Sequence, residues 1–287
     1  MKVGITAFLS DRTIGPADWA REVEQRGFHS LYLPEHTHLP VSAQAPPALV
    51  EGVSIEDYPR SLDPLVALAA AAAVTERIAL GTGVSLVAQH DPIVLAKQVA
   101  TLDNISRGRA VLGMGFGWNK LEASDHGVDF GHRRALAREK VLCMKELWSE
   151  KEAHFDGRFV KLLPSLAWPK PAAGTVPILI GGAATAATFE AIAEYADGWM
   201  PIGGAGISKA LPELRRLVDE AGRDPTGLRI VPFGTIPDVG KLEHLAEAGC
   251  TEVVLRVPAG ETSGMLRDLD DYMAYLDAGF ESAGAGE

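Results

Sequence analysis

The sequence predicts an α/β fold, a (β/α)8 TIM barrel, and three observations predict it. Eight short apolar runs alternate with eight helix-patterned stretches. The runs are almost continuously apolar rather than alternating, the pattern of strands covered on both faces. No GxGxxG follows the first run, within Val3–Ser10, where a doubly wound open sheet would carry its nucleotide loop. The 287 residues are read as one barrel domain, 1–287, with insertions at about 34–62, after strand two, and about 153–176, after strand four and its helix.

Strand one is Val3–Phe8. Gly15-Pro16 opens helix one, Trp19 and Val23 share a face, and Gly27 ends it. Strand two is Ser30–Leu33. The stretch Pro34–Leu62 then carries five prolines and no sustained period, a long excursion beyond a strand end. Asp63 caps helix two, with Pro64 at its first position and an alanine-rich body to Val74. Strand three is Ile78–Val84. Asp91 and Pro92 start helix three, Pro92–Ser106, which Gly108 stops. Strand four is Ala110–Met114, and Lys120–Gly131 reads as a polar connection to helix four, which ends near Trp148. His154–Leu163 reads as a hairpin turning at Asp156-Gly157. Strands five to eight are Pro177–Ile180, Gly198–Pro201, Leu228–Phe233 and Glu252–Val257. Their helices are about Thr185–Ala196, Ser208–Gly222, Val239–Ala248 and Met265–Phe280, before a frayed tail, Ser282–Glu287.

Composition narrows the function. A net charge of −11 speaks against a nucleic-acid or anionic-membrane partner. Cys143 and Cys250 form no CxxC and read as buried thiols of a reducing cytoplasm. Ser10, Asp11 and Arg12 interrupt the first apolar run, so a strand is the better reading there than a secretory segment. The longest apolar run, Leu65–Val74, is far short of the roughly 20 residues that span a bilayer. The expectation is a soluble, cytoplasmic protein.

In a barrel, function collects after strand C-termini. After strand two stands Pro34-Glu35-His36, whose histidine can act as acid, base or donor to a substrate oxygen. Thr82, Gly83, Val84 and Ser85 follow strand three, where small residues let a planar ring approach the backbone. Gly113–Trp118 follows strand four as GxGxGW, and Trp118 can stack on a ring or wall a pocket. Gly182, Ala183, Ala184 and Thr185 lead into helix five, and exposed amides at a helix start suit a phosphate. No HExxH, GxSxG or carboxylate-rich cluster appears, so no metal is expected. A flat cradle, a phosphate seat and a histidine suit a phosphorylated cofactor that carries the hard chemistry. An aldolase or isomerase barrel, or a barrel that binds a cofactor without turnover, remain alternatives.

The residues also resemble a family, the bacterial luciferase-like flavin and deazaflavin oxidoreductases. The resemblance is to the actinobacterial branch that uses coenzyme F420. Its marks are Leu33-Pro34-Glu35-His36, Ala79–Val84 with Asp91-Pro92, Arg107-Gly108-Arg109 and Gly113–Trp118. Phe130-x-x-Arg133 with Glu139, Leu147-Trp148, Pro177–Gly182 and Ala196–Trp199 complete the set. The resemblance implies a dimeric barrel with the cofactor ring on the end of strand three, over a cis peptide at Gly83–Val84. It assigns Glu35, Thr82, Gly83, Val84, Gly115, Phe116, Gly117 and Trp118 to cofactor binding. Gly182, Ala183, Ala184 and Thr185 hold the phosphate, and His36 is the catalytic residue. The implied reaction is hydride transfer between F420 and a small, fairly apolar substrate. With FMN instead, it is oxygen insertion. Some relatives carry a second acid/base, a Glu, after the strand-four glycines. Trp118 stands there in this chain, with Glu122 nearby but off register. Lys120, Lys209 and Arg256 are the cations to seek near the cofactor's anionic tail. Pro46, Pro47, Leu49, Val50, Leu166 and Trp168 are read as framing the substrate pocket.

Overall fold

A computed structural model describes residues 1–42 and 56–276. Pro46, Pro47, Leu49, Val50, the end of the last helix and the polar tail lie outside the described residues. The chain runs β1 (Lys2–Ala7), α1 (Pro16–Gln25), β2 (Ser30–Leu33), α2 (Pro64–Ala72), β3 (Ala79–Thr82) and α3 (Pro92–Ser106). It continues with β4 (Ala110–Met114), α4 (Lys120–Asp125), α5 (Arg133–Ser149), and the hairpin β5 (Ala153–Asp156) and β6 (Lys161–Ser165). Then come β7 (Ile178–Gly181), α6 (Ala186–Tyr195), β8 (Gly198–Met200), α7 (Ile207–Glu220), β9 (Arg229–Ile230) and β10 (Phe233–Thr235). The last elements are α8 (Val239–Glu247), β11 (Glu252–Val257) and α9 (Thr262–Tyr272).

The large sheet is parallel, in the order β10-β11-β1-β2-β3-β4-β7-β8-β9. Its two ends, β9 and β10, are halves of one barrel strand. Across the break, Val231 N–H donates to Trp199 at 2.9 Å and Phe233 N–H to Pro201 at 2.8 Å, while Val254 N–H donates to Pro232 at 2.8 Å on the other side. The sheet therefore closes into a barrel. The seventh strand, expected whole, is split because Pro232 has no N–H to give to β11.

Two apolar layers hold the barrel. Tyr32, Val111, Leu179, Met200, Val231 and Val254 fill its interior. Ile5, Leu31, Leu80 and Leu112 pack outward with Trp19, Trp148 and Trp199, all 2% exposed or less. Each such side chain contributes roughly 1.5–3 kcal/mol by leaving water. At the base, Glu252 accepts hydrogen bonds from Ser30 and, at 3.2 Å, from Arg229.

Local signals place the helices well. Asp63 accepts from Val66 N–H at 2.8 Å, and Asp91 from Ile93 and Val94 N–H at 2.9 and 3.0 Å. α3 ends one residue before Gly108, on Arg107 in the left-handed region (φ 59°). Glu139 receives the Arg158, Phe159 and Val160 amides and so fixes the β5–β6 turn. Burial opposes its charge, but those three amides outweigh burial and hold its carboxyl below the usual range. The connection Lys120–Gly131 is not all loop: Asn119 caps α4 by accepting from Leu121 and Glu122 N–H at 3.1 and 3.3 Å.

Candidate active site

A cavity of about 320 Å³ opens at the C-terminal mouth of the barrel. Its size is at the lower end of small-ligand pockets, and its lining is mainly apolar. One wall is aromatic. The His36 ring lies 4.7 Å from Tyr58 and 5.9 Å from Trp118, and Phe8 lies 5.3 Å from Tyr58. Gly83, Val84, Gly115, Gly181 and Met200 line the cavity from the strand ends. Phe233, Gly234, Arg256 and Val257 close the side formed by the last two barrel strands.

His36 projects from the end of β2 and meets a residue to which the sequence gave no secure role. Its Nδ1 lies 3.0 and 3.2 Å from the two carboxylate oxygens of Glu122. The His36 side chain is 9% exposed and that of Glu122 1%. Asn119 starts α4 so that Glu122, three residues on, faces inward. A carboxylate only accepts, so Nδ1 carries the hydrogen and Nε2 is left for a ligand. Thr37, His38, Asp125 and His126 fasten α4 to the same loop from outside, through bonds of 2.7–2.9 Å.

Glu35, adjacent in sequence, goes elsewhere. It borders the cavity and is only 4% exposed, but its carboxylate is bonded to His90 Nε2 and, at 2.8 Å, to Leu86 N–H. Burial opposes its ionisation. The His90 and Leu86 contacts outweigh burial and hold its carboxyl below the usual range. Burial also opposes charging His90, yet the Glu35 contact raises its imidazole above its usual value. Lys140 donates to the Ala88 and His90 carbonyls and tightens the same segment.

The strand-end glycines have a physical reason inside the barrel itself. A Cβ on Gly83 would sit 2.4 Å from the Phe233 ring, and one on Gly115 2.5 Å from Val84. At Gly113 it would lie 2.0 Å from the Thr82 carbonyl. Packing inside the barrel mouth demands these glycines, whatever approaches from above. The Gly83–Val84 peptide is cis, as the resemblance implies. Thr82 is buried and donates its hydroxyl to Gly113 at 2.7 Å, so its side chain does not reach the cavity. Phe116, Gly117 and Trp118 do line it.

The turn after β7 is open. Gly182 lines the cavity at φ 144°, and a Cβ there would meet nothing closer than 3.8 Å. Ala183, Ala184 and Thr185 are exposed beyond it, outside the cavity lining. The Thr185 hydroxyl caps α6 by accepting from Thr188 N–H at 3.2 Å. Of the expected cations, Arg256 alone lines the cavity; Lys120 and Lys209 are exposed. Arg134, missed in sequence, lies with its guanidinium 4.1 Å from the centre of the Phe116 ring. Its Nη1 is buried and has no hydrogen-bond partner among the described residues. Among the described residues, no lysine lines the cavity, so a Schiff-base aldolase has no nucleophile.

Comparisons with known proteins bear on the family and the fold. The luciferase-like monooxygenase family model matches residues 16–274. A protein of Mycobacterium tuberculosis (strain ATCC 25618 / H37Rv), described as uncharacterised, is 46% identical over 281 residues and covers 96% of each chain. An F420-dependent glucose-6-phosphate dehydrogenase of Kineococcus radiotolerans is 31% identical over 234 residues, 78% of this chain and 64% of that one. Among solved structures, an F420-dependent secondary alcohol dehydrogenase in complex with an F420-acetone adduct aligns with a TM-score of 0.76. That alignment covers 97% of this chain and 99% of the other at 18% identity, a likeness of fold.

Proposed function

Because the chain belongs to the luciferase-like monooxygenase family of F420- or flavin-dependent enzymes, we propose that it is an F420-dependent oxidoreductase. It would move hydride between the deazaflavin and a small, mostly apolar organic substrate. The observation that carries this reading is the oriented His36 on the wall of an apolar mouth. The residues fit the cofactor. Val84, Gly115 and Gly181 offer a flat apolar bed, Gly182 an open backbone, and Arg134 a guanidinium on Phe116 whose Nη1 has no hydrogen-bond partner among the described residues. Thr185, Ala183 and Ala184 would meet the phosphate from outside the cavity.

When bound, the deazaflavin supplies a carbon that accepts or donates hydride. The chain supplies the rest. As a substrate alcohol gives up hydride from carbon, its hydroxyl proton passes to His36 Nε2; in the reverse direction the same nitrogen returns it to the carbonyl oxygen. Glu122 holds the ring and its tautomer through Nδ1. Tyr58, Trp118 and Phe8 exclude water from the reacting atoms.

Absorption spectra of desalted protein after incubation with F420 or FMN test the reading. F420 is expected to be retained and Gly182→Asp to lose it; retention of neither cofactor contradicts the reading, and retention of FMN alone favours the monooxygenase. We also place the protein in the cytoplasm as a homodimer. Burial pushes its two free thiols, Cys143 and Cys250, up to about 11 and about 12, which keeps them unreactive. Val66 (71% exposed), Val94 (54%) and Trp168 (61%) leave apolar surface for a second copy. Sedimentation should give twice the 30.5 kDa chain mass, and a monomer contradicts the pairing.

A further inference from the structure

We propose that Arg256 is a carboxylate-binding residue of the substrate pocket, so that the enzyme acts on small apolar molecules carrying one anionic head. The proposal deepens the reading above and rests on it for the direction from which substrate enters.

Alternate residues of a strand share a face. On β11, Glu252 bonds Ser30 and Arg229 within the barrel, and Val254 belongs to the interior layer. Arg256 continues that face one step higher and lines the cavity. The two arginines differ in their partners. Arg229, at the base, has Glu252 at 3.2 Å. Arg256, at the mouth, makes no side-chain hydrogen bond or ion pair among the described residues.

Among the described residues, the acidic and basic side chains on the cavity wall are Glu35 and Arg256, beside the His36 imidazole. The carboxylate of Glu35 is already taken by His90 and the Leu86 amide. Arg256 therefore stands as an uncompensated cation in a mainly apolar mouth. Such a cation gains most from an anion that shares its desolvation, and a guanidinium offers a carboxylate two parallel donors. Tyr58 also lines the cavity, and burial pushes its phenol up to about 12, so it is a neutral donor in the same mouth.

The strand order says which ligand the arginine serves. From β11, both β3 and β7 are three barrel strands away, in opposite directions, and β4 is directly across. The proposed ring bed and phosphate seat are on β3, β4 and β7. Arg256 therefore faces the cofactor from across the mouth, where the substrate must lie. On the cofactor's proposed side, Arg134 at the start of α5 would serve its anionic tail.

Calorimetric titration with benzoate and its neutral counterpart benzamide tests this, on protein loaded with F420 and on cofactor-free protein. Benzoate is expected to bind at least about tenfold more tightly than benzamide, as a charge-assisted pair should. Arg256→Met should abolish that preference and Arg256→Lys keep part of it, with F420 affinity and melting temperature unchanged. Equal binding of the two probes by the natural chain, or a preference that survives Arg256→Met, overturns the proposal. Loss of F420 rather than benzoate in Arg256→Met also overturns it, by placing Arg256 on the cofactor. If F420 is never retained but cofactor-free protein still prefers benzoate, the cofactor reading fails and the carboxylate site stands.

Discussion

Two histidine–glutamate pairs sit side by side at the mouth of this barrel, and they do different work. His36 pairs with Glu122, and His90 with Glu35. In both, a nearly buried carboxylate fixes a ring nitrogen. The difference is where the rest of each ring goes. His36 lies on the cavity wall among Tyr58 and Trp118, with Nε2 uncommitted. His90 is absent from that wall, and its partner's second oxygen ties down Leu86 in the loop after β3. In the proposed reading the first pair presents a proton-transfer group, and the second braces the loop after β3 beside it. An oriented histidine is therefore no catalytic signature until its free nitrogen is traced to a cavity.

Mutations should separate the pairs. His36→Ala is expected to lower turnover of any accepted alcohol or ketone about 10³-fold, with F420 binding and melting temperature retained. Glu122→Gln should cost roughly tenfold to a hundredfold, since it loosens the ring without removing it. Equal losses in the two, or no loss in either, would break the distinction. For the brace, Glu35→Gln should reduce stability to urea by about 3 kcal/mol, because it leaves His90 against an uncharged partner in a mostly buried site.

The pH dependence of that second effect carries a sign. Glu35 is shifted down from 4.5, so its contribution is present above that value and lost as pH falls through the lowered one. His90 is shifted up from 6.5, so its contribution is full below that value and lost as pH rises through the raised one. The stability gap between the natural chain and Glu35→Gln should therefore peak between 4.5 and 6.5 and shrink on both sides. A gap that grows steadily into the alkaline range contradicts the pairing.

The barrel was legible because its signals are local. Asp63-Pro64 and Asp91-Pro92 start helices whatever surrounds them, and the apolar runs of strands two, four and eight match β2, β4 and β11. The two pairs at the mouth were not, because each joins residues far apart in sequence: 86 positions separate His36 from Glu122, and 55 separate Glu35 from His90. Asn119-x-x-Glu122 does carry a helix-start pattern that could have revealed α4. Nothing local says that its glutamate folds back onto His36. Gly83 and Gly115 are ambiguous for another reason. A ring approaching from outside and a side chain packed from inside both forbid a Cβ, and sequence cannot tell them apart. Pro232 was a readable warning that the seventh strand would break.

The most direct test is a crystal structure with F420 bound. The account predicts the deazaflavin lying on Val84 and Gly115, its phosphate at Gly182, and Nε2 of His36 turned toward the substrate face while Nδ1 stays on Glu122. A cofactor seated after the last two barrel strands, against Gly234 and Arg256, or a His36 that has left Glu122 for the cofactor's tail, would contradict it.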